Sequence, residues 1–307
     1  MTLFSREQVL NQLTQGHSFY QAELSRLDLQ NTILDKGNFV EAYLKGANLS
    51  KASCKGTDFT KANLMFAILI GTNLTQAKLY QAELNGATLE GLNLQAADAR
   101  KANLYDAILN GLNAPLIKLE YADLSESRAT NCNFSGSNLN NAKLNKVNYH
   151  QVNFSGAQLS GVSGFAAKFT QTILREANLG KAKFIQSTLI DSDLTQASLI
   201  AADFSQSQLN KVILKQADLL EASLKSAQLQ EVDLTEASLF AVDLEGATLS
   251  QINLADANLE EANLENTIWE KVNFSGCNVT GAVFTNAQGL SEEQKQWLQA
   301  NGALNVS

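Results

Sequence analysis

The sequence predicts an all-β fold: a four-sided parallel β-helix closed by a short α-helix at each end. Three observations carry that prediction. From Phe19 to Phe284, every fifth residue is Leu or Phe at 46 of 54 positions, with no shift of frame. The residue two before each of these centres is Ala, Ser, Thr, Gly or Cys at 41 of 54 positions. A longer period of twenty residues then sorts the five-residue units into four kinds.

A period of five drifts against both the 3.6-residue helix and the two-residue strand. Within a unit, however, the small residue and the centre are two apart, the same-side spacing of extended chain. The residue between them, often Asn or Asp, then faces outward. The two remaining positions are rich in Gly, Ser, Thr, Asn, Gln, Lys and Glu, which suit a corner. Glycines such as Gly46, Gly56, Gly86, Gly136 and Gly156 take the second corner position, where a turn accounts for them. Each unit therefore reads as a three-residue side and a two-residue turn.

The twenty-residue period gives the number of sides. Among the 13 small positions from 32 to 272 in steps of twenty, one is Ala and seven are Val, Ile or Leu: Leu92, Leu112, Val152, Val212, Val232, Ile252 and Val272. In the class from 22 to 282, 12 of 14 are Ala. Positions twenty apart share an environment, so four units make one coil. Asn73, Asn93, Asn113, Asn133 and Asn153 repeat at the same interval, as stacked amides would. About thirteen coils are expected over residues 17–288.

Both ends carry helix signals. In residues 1–16, Ser5 is an N-cap, Gln8 completes a capping box, Phe4 can staple against Val9, and Gly16 terminates the helix. In residues 289–307, Ser291 and Gln294 repeat the box and Gly302 closes it. Val9, Leu10 and Leu13 are expected to cover one end of the stack, and Trp297 and Leu298 the other, which protects open edges from aggregation. Two places interrupt the frame. Ala99, Ala114 and Ala129 are small centres near Pro115, the only proline, and Leu112 and Ile117 are expected to refill that volume. At Gly164, followed by Phe165, a small bulge or bend is expected.

The composition excludes several function classes. A net charge of −8 argues against a general nucleic-acid binder, because phosphate contacts need clustered Lys and Arg. No basic segment followed by an apolar run opens the sequence, and no apolar stretch is long enough to span a membrane. Cys54, Cys132 and Cys277 are odd in number and far apart, which suits a reducing cytoplasm. They occupy centre or small positions and should be buried and inert. His17 and His150 are about seven coils apart and share no site. Nucleotide-binding loops and zinc spacings are absent. No catalytic, cofactor-binding or metal-ligating set emerges, and the chain reads as a non-enzyme without cofactor.

The repeats resemble the pentapeptide-repeat family, whose motif is close to Ala-(Asp/Asn)-Leu-X-X. Close copies include Ala47–Lys51, Ala177–Lys181, Ala217–Glu221, Ala257–Glu261 and Ala262–Asn266, and the likeness covers residues 17–288. The resemblance implies a right-handed quadrilateral β-helix, since the spacing alone does not set the hand. The amino-terminal helix followed by Gly16 and Phe19 is similar to that of cyanobacterial members, some of which regulate cell differentiation. Most members have no assigned activity.

Two surface features remain for function. Asp218–Glu270 holds 12 acidic residues and one basic residue, Lys225, giving −11 against +3 for the rest. The family includes DNA-mimicking inhibitors and protectors of a type II topoisomerase, usually dimers, which is the alternative reading. Here Glu231, Glu236, Glu245 and Glu260 fall on four different corners, the pattern of a solubilising excess. The second feature is an apolar strip: Ile200, Leu220 and Phe240 on one corner of consecutive coils, with Tyr20, Val40 and Tyr80 on the same edge. Met65 and Phe66 form a smaller patch. Contiguous apolar surface marks partner sites, so the leading expectation is a non-catalytic interaction or scaffold module. Its partner is a protein, without membrane or direct nucleic-acid contact, and the chain is expected to be a monomer, with a dimer as the alternative. A structural rod without a specific partner is the third reading.

Overall fold

The computed structural model describes residues 4–307. The chain divides into two units, Met1–Gln158 and Leu159–Ser307. Both are parallel β-solenoids built on the same twenty-residue coil. In unit 1, bridges run from Glu23↔Tyr43 to Asn138↔Gln158, about seven coils. In unit 2 they run from Ser163↔Lys183 to Val283↔Leu304.

One pentapeptide shows why the sequence takes this form. In Ala217–Glu221 the Ala217 N–H closes the preceding turn on the Leu214 carbonyl (3.0 Å). The Asp218 N–H reaches back to Ala197 in the previous coil (2.9 Å), and Leu219 N–H reaches forward to Ser238 (2.7 Å). Leu220 N–H is bound by its neighbour's side chain, Asp218 Oδ1 (3.1 Å), and Glu221 N–H goes forward to Phe240 (3.0 Å). All five amides are thus satisfied, as a chain with little water access requires. The outward Asn or Asp caps the first corner amide, an Asx bond that also appears at Asn73, Asn153, Asp203 and Asn278.

The second corner residue has positive φ throughout, for glycine (Gly46, 66°) and for side chains such as Lys36 (59°) and Gln196 (58°). This is the third position of a type II turn, where a left-handed residue is obligatory. Because its N–H is committed to the next coil, the stack imposes the conformation on residues that would otherwise avoid it.

On one side of the coil the extended run is long enough to form three-residue strands. Unit 1 contains β1 (Arg128–Thr130) and β2 (Asn148–His150), paired in parallel. Unit 2 contains β3 (Lys168–Thr170), β4 (Thr188–Ile190), β5 (Gln208–Asn210), β6 (Gln228–Gln230), β7 (Thr248–Ser250) and β8 (Ile268–Glu270). Each pairs in parallel with the next, in a register of twenty, as in Leu209↔Leu229.

The centres stack into the core. Phe19, Phe39 and Phe59 lie ring on ring at 5.0 and 5.3 Å. Phe134 with Phe154, and Phe184 with Phe204, do the same at 5.2 and 5.3 Å. The two polar centres keep their polar tips satisfied: Tyr149 Oη lies 2.9 Å from Ser127 Oγ, and Trp269 Nε1 donates to Thr267 Oγ1 at 2.7 Å. Ala99, Ala114 and Ala129 are buried beside buried Leu112 and Ile117, without loss of register. Pro115 sits at a first corner position, whose amide makes no coil-to-coil bond, so its missing N–H removes nothing from the ladder. Its carbonyl still accepts from Ala96 N–H (3.0 Å).

The bulge expected at Gly164 is absent. Gly164 N–H bonds Lys183 in frame (2.7 Å), and the Phe184 ring occupies the space a side chain at 164 would need, 2.3 Å from an added Cβ. A large neighbour one coil on replaces the missing centre, so the backbone has no volume to correct.

Helix α1 (Arg6–Thr14) opens unit 1 and α2 (Glu292–Ala300) closes unit 2. Both carry complete capping boxes, Ser5 with Gln8 and Ser291 with Gln294. Both end in a Schellman motif: Gly16 and His17 donate to Leu13 and Gln12, and Gly302 and Ala303 to Gln299 and Leu298. Val9 and Leu298 are fully buried. Phe4 packs edge-on to Phe19 at 5.9 Å, which anchors α1 to the first coil. After α2 the chain returns to the stack, where Leu304 bridges Val283.

Candidate interaction surface

Inward and extended positions are consumed by the coil, so function has the corners and outward side residues to work with. Ile200, Leu220 and Phe240 take the first corner position on three consecutive coils of unit 2. Ala201 N–H bonds Leu220 O (2.8 Å) and Glu221 N–H bonds Phe240 O (3.0 Å), which holds the three one coil apart. Ile200 is exposed, while Leu220 and Phe240 are half-buried. Gly180 and Glu260 take the same position on either side and bound the strip.

In unit 1, Tyr20, Val40 and Tyr80 take the equivalent position of their own coils and are less continuous. Thr60 separates Val40 from Tyr80. Tyr80 is covered by cations, with Arg100 and Lys101 5.9 and 5.8 Å from its ring centre. Tyr20 is exposed and interacts with Glu41, whose hydrogen bond raises the phenol's pKa. The carboxyl of Glu41 is lowered in turn, first by Gln21 and then by Tyr20.

Three further residues combine bulk, exposure and a left-handed backbone: Phe66 (φ 57°), Leu116 (59°) and Tyr121 (61°), each more than half exposed. Large side chains rarely take this conformation. Phe66 and Leu116 are each followed twenty residues later by a glycine. An added Cβ would lie 2.7 Å from the Phe66 ring at Gly86 and 2.9 Å from Leu116 at Gly136. The glycines make seats over which these side chains lean. With Ile68 and Ile70, Phe66 extends the small patch into a row of alternate outward residues. Residue types alone point to Phe66; a glycine exactly one coil later is the signal that could have found Leu116.

The acidic stretch is partly neutralised and turned in several directions. Lys225 lies 3.1 Å from both Asp243 and Glu245, which raise its pKa, Asp243 first. Glu236 receives Gln216 Nε2 at 2.6 Å. Glu231, Glu236, Glu245 and Glu260 stand at four separate corners of unit 2.

The cysteines are free and buried. Burial raises the thiol pKa of all three, that of Cys277 to about 12, which keeps them protonated near neutrality. His17 Nδ1 lies 3.2 Å from Gln12 O at the end of α1, and His150 ends β2, within unit 1. Among the described residues no group of three or more His, Cys, Asp or Glu could hold a metal ion, and no helix is long and apolar enough to cross a membrane.

Comparison with known proteins places the repeat. The family model described as pentapeptide repeats (8 copies) matches residues 22–53, 38–76, 72–111, 117–156, 132–163, 237–268 and 257–288. A second, pentapeptide repeat region, matches 162–239. No curated protein matches. Among solved structures, QnrB1, a plasmid-mediated fluoroquinolone resistance protein, is 17% identical over 69% of this chain and 96% of its own, with a TM-score of 0.44. HetL, involved in heterocyst differentiation regulation in the cyanobacterium Nostoc sp., is 22% identical over 93% of this chain and 99% of its own (TM-score 0.21). A thylakoid-lumen protein of Arabidopsis thaliana is 26% identical over 44% of this chain and 85% of its own (TM-score 0.28). These likenesses carry no role over to this chain.

Proposed function

This chain belongs to the pentapeptide-repeat family, and we propose that it is a non-catalytic protein-binding module that acts through the corners of its coils. The observation that carries the reading is the strip Ile200–Leu220–Phe240. Three apolar side chains on consecutive coils, about 4.8 Å apart along the stack, offer a ridge that a partner can cover. A protein interface of this kind draws its affinity from a few such anchors. The acidic stretch favours no second reading, because a phosphate mimic needs its charges along one path and these stand at four corners. The reading includes a monomer in a reducing cytoplasm, and light scattering during size-exclusion chromatography checks the first part.

The test compares parallel pull-downs from cell extract with the native chain and a Leu220→Lys, Phe240→Lys double variant. Both sites are half-buried corners, so circular dichroism should show the coil retained. The expected result is loss of specific partners by the variant; identical partner sets would remove the strip from consideration.

A further inference from the structure

The ladder of centre amides, which runs from each coil to the next (Leu254 N–H to Asn273 O, 2.9 Å), changes at the last coil. There, the Trp269 N–H reaches Gln288 O (2.9 Å), Gly281 N–H reaches Gly302 O (2.9 Å) and Phe284 N–H reaches Leu304 O (2.9 Å). Phe274 and Val279 have no such acceptor among the described residues. Beside Phe274 a cleft of about 270 Å³ opens between the last coil and α2, lined by Val272, Phe274, Gln294 and Trp297. Trp297 stacks against Phe274 at 6.1 Å, giving the cleft an aromatic wall.

The side below shows what is missing. Asn273 pairs with Asn253: its N–H donates to Ile252 O (3.0 Å), and its carbonyl accepts from Leu254 N–H (2.9 Å). One more rung would place a middle residue whose N–H donates to Val272 O and whose carbonyl accepts from Phe274 N–H. Half of that pair is already imitated. Gln294 Nε2 donates to Val272 O at 3.2 Å, while its Oε1 accepts from Ser291 N–H in the capping box. The acceptor for Phe274 has no substitute.

We infer that residues 272–274 form a binding edge for a short extended peptide of another protein, added in parallel as one further rung. The peptide's middle residue makes both backbone bonds and displaces the Gln294 amide, and its flanking side chains, on the inward side, fall against Phe274 and Trp297. Strand addition of this kind takes affinity from main-chain bonds and selectivity from alternate side chains. The apolar wall therefore selects a neutral segment with a small-or-branched, polar, large-apolar pattern, as in Ile252-Asn253-Leu254 beneath it. The inference does not depend on the corner strip, which lies on a different part of unit 2.

The probe is acetyl-Ile-Asn-Leu-Ala-amide, titrated into the full chain labelled with nitrogen-15. Saturable shifts of the Phe274 amide and the Trp297 indole are expected, with at least tenfold slower exchange of the Phe274 amide at saturation. Methylating the probe's Asn nitrogen removes the bond to Val272 and should weaken binding at least tenfold. Gln294→Glu keeps an oxygen for the capping box but removes the competing donor, and should tighten binding at least threefold. Leu220→Lys, Phe240→Lys should leave it unchanged. The inference is overturned by an unshifted Phe274 amide up to about 10 mM probe, a weak-binding limit, or by equal binding of the methylated probe. Shifts of these resonances with protein concentration alone would assign the edge to a second copy and would also overturn it.

Discussion

At a single corner, the difference between two glycines measures what the stack asks of a residue. Gly86 and Gly91 both have left-handed backbones (62° and 61°), but an added Cβ at 86 meets the Phe66 ring, while at 91 it meets open space. Gly91→Ala is expected to cost about 1 kcal/mol, the price of a left-handed L-residue. Gly86→Ala adds displacement of Phe66 and should cost about 1 kcal/mol more, of the order of a side chain forced off its rotamer. Paired urea melts would show the difference, and in a Phe66→Ala background it should vanish. Carboxylates make a second statement at this scale. Burial opposes ionisation of Asp193, but bonds from Thr195 and Arg175 outweigh it, so its pKa is lowered. At Asp98 the Arg100 bond is the largest influence and acts in the same direction. A folded-state pKa below the unfolded value gives stability that is present above the ordinary carboxylate range and lost as pH falls through the lowered value. Thermal melts at falling pH should therefore show a drop below about pH 4, smaller in Asp193→Asn. The sequence made the outward Asn and Asp visible as a ladder, and Asn133 Nδ2 does reach Asn113 Oδ1 at 3.4 Å. Their more frequent task, capping the next corner amide, has no period of its own and was hidden behind the repeat.

The helices were the most legible elements, because a capping box and a Schellman glycine are local chemistry written within a few residues. Ser291→Ala removes the oxygen that accepts from Gln294 N–H and should destabilise α2 by about 1 kcal/mol. Hydrogen exchange should rise in Glu292–Ala300 while the amides of β3–β7 keep their protection. The coil sides were legible for the opposite reason: each is weak alone, and only recurrence at twenty residues reveals it. Legibility fails where a large residue one coil away answers a local anomaly. Gly164 looks like a bend until Phe184 is seen above it, and the pair is separated by the coil length rather than by a turn. The cleft beside α2 escaped for a related cause. Nothing in Val272-Asn273-Phe274 differs from other sides; the next rung is what differs, and a helix has replaced it.

On the scale of the molecule, stability is a sum over neighbouring coils, since among the described residues each ladder bond joins residues about twenty apart. A solenoid of this type resembles a one-dimensional array, in which damage spreads only as far as neighbouring terms permit. Leu194 is a fully buried centre on the column of Leu174 and Leu214, with its N–H bonded to Ile213 (2.7 Å). Leu194→Asp puts a carboxylate among apolar centres, a change in the class that costs about 4 kcal/mol or more. A compact globular core would share that loss across all its amides. Here, hydrogen exchange should accelerate first and most in the coils around residues 174–214, and the first coils of unit 1, residues 19–99, should retain native protection at the same denaturant concentration. Uniform acceleration across both units would mean that the coils unfold as one cooperative body, and the nearest-neighbour account of this chain would fail.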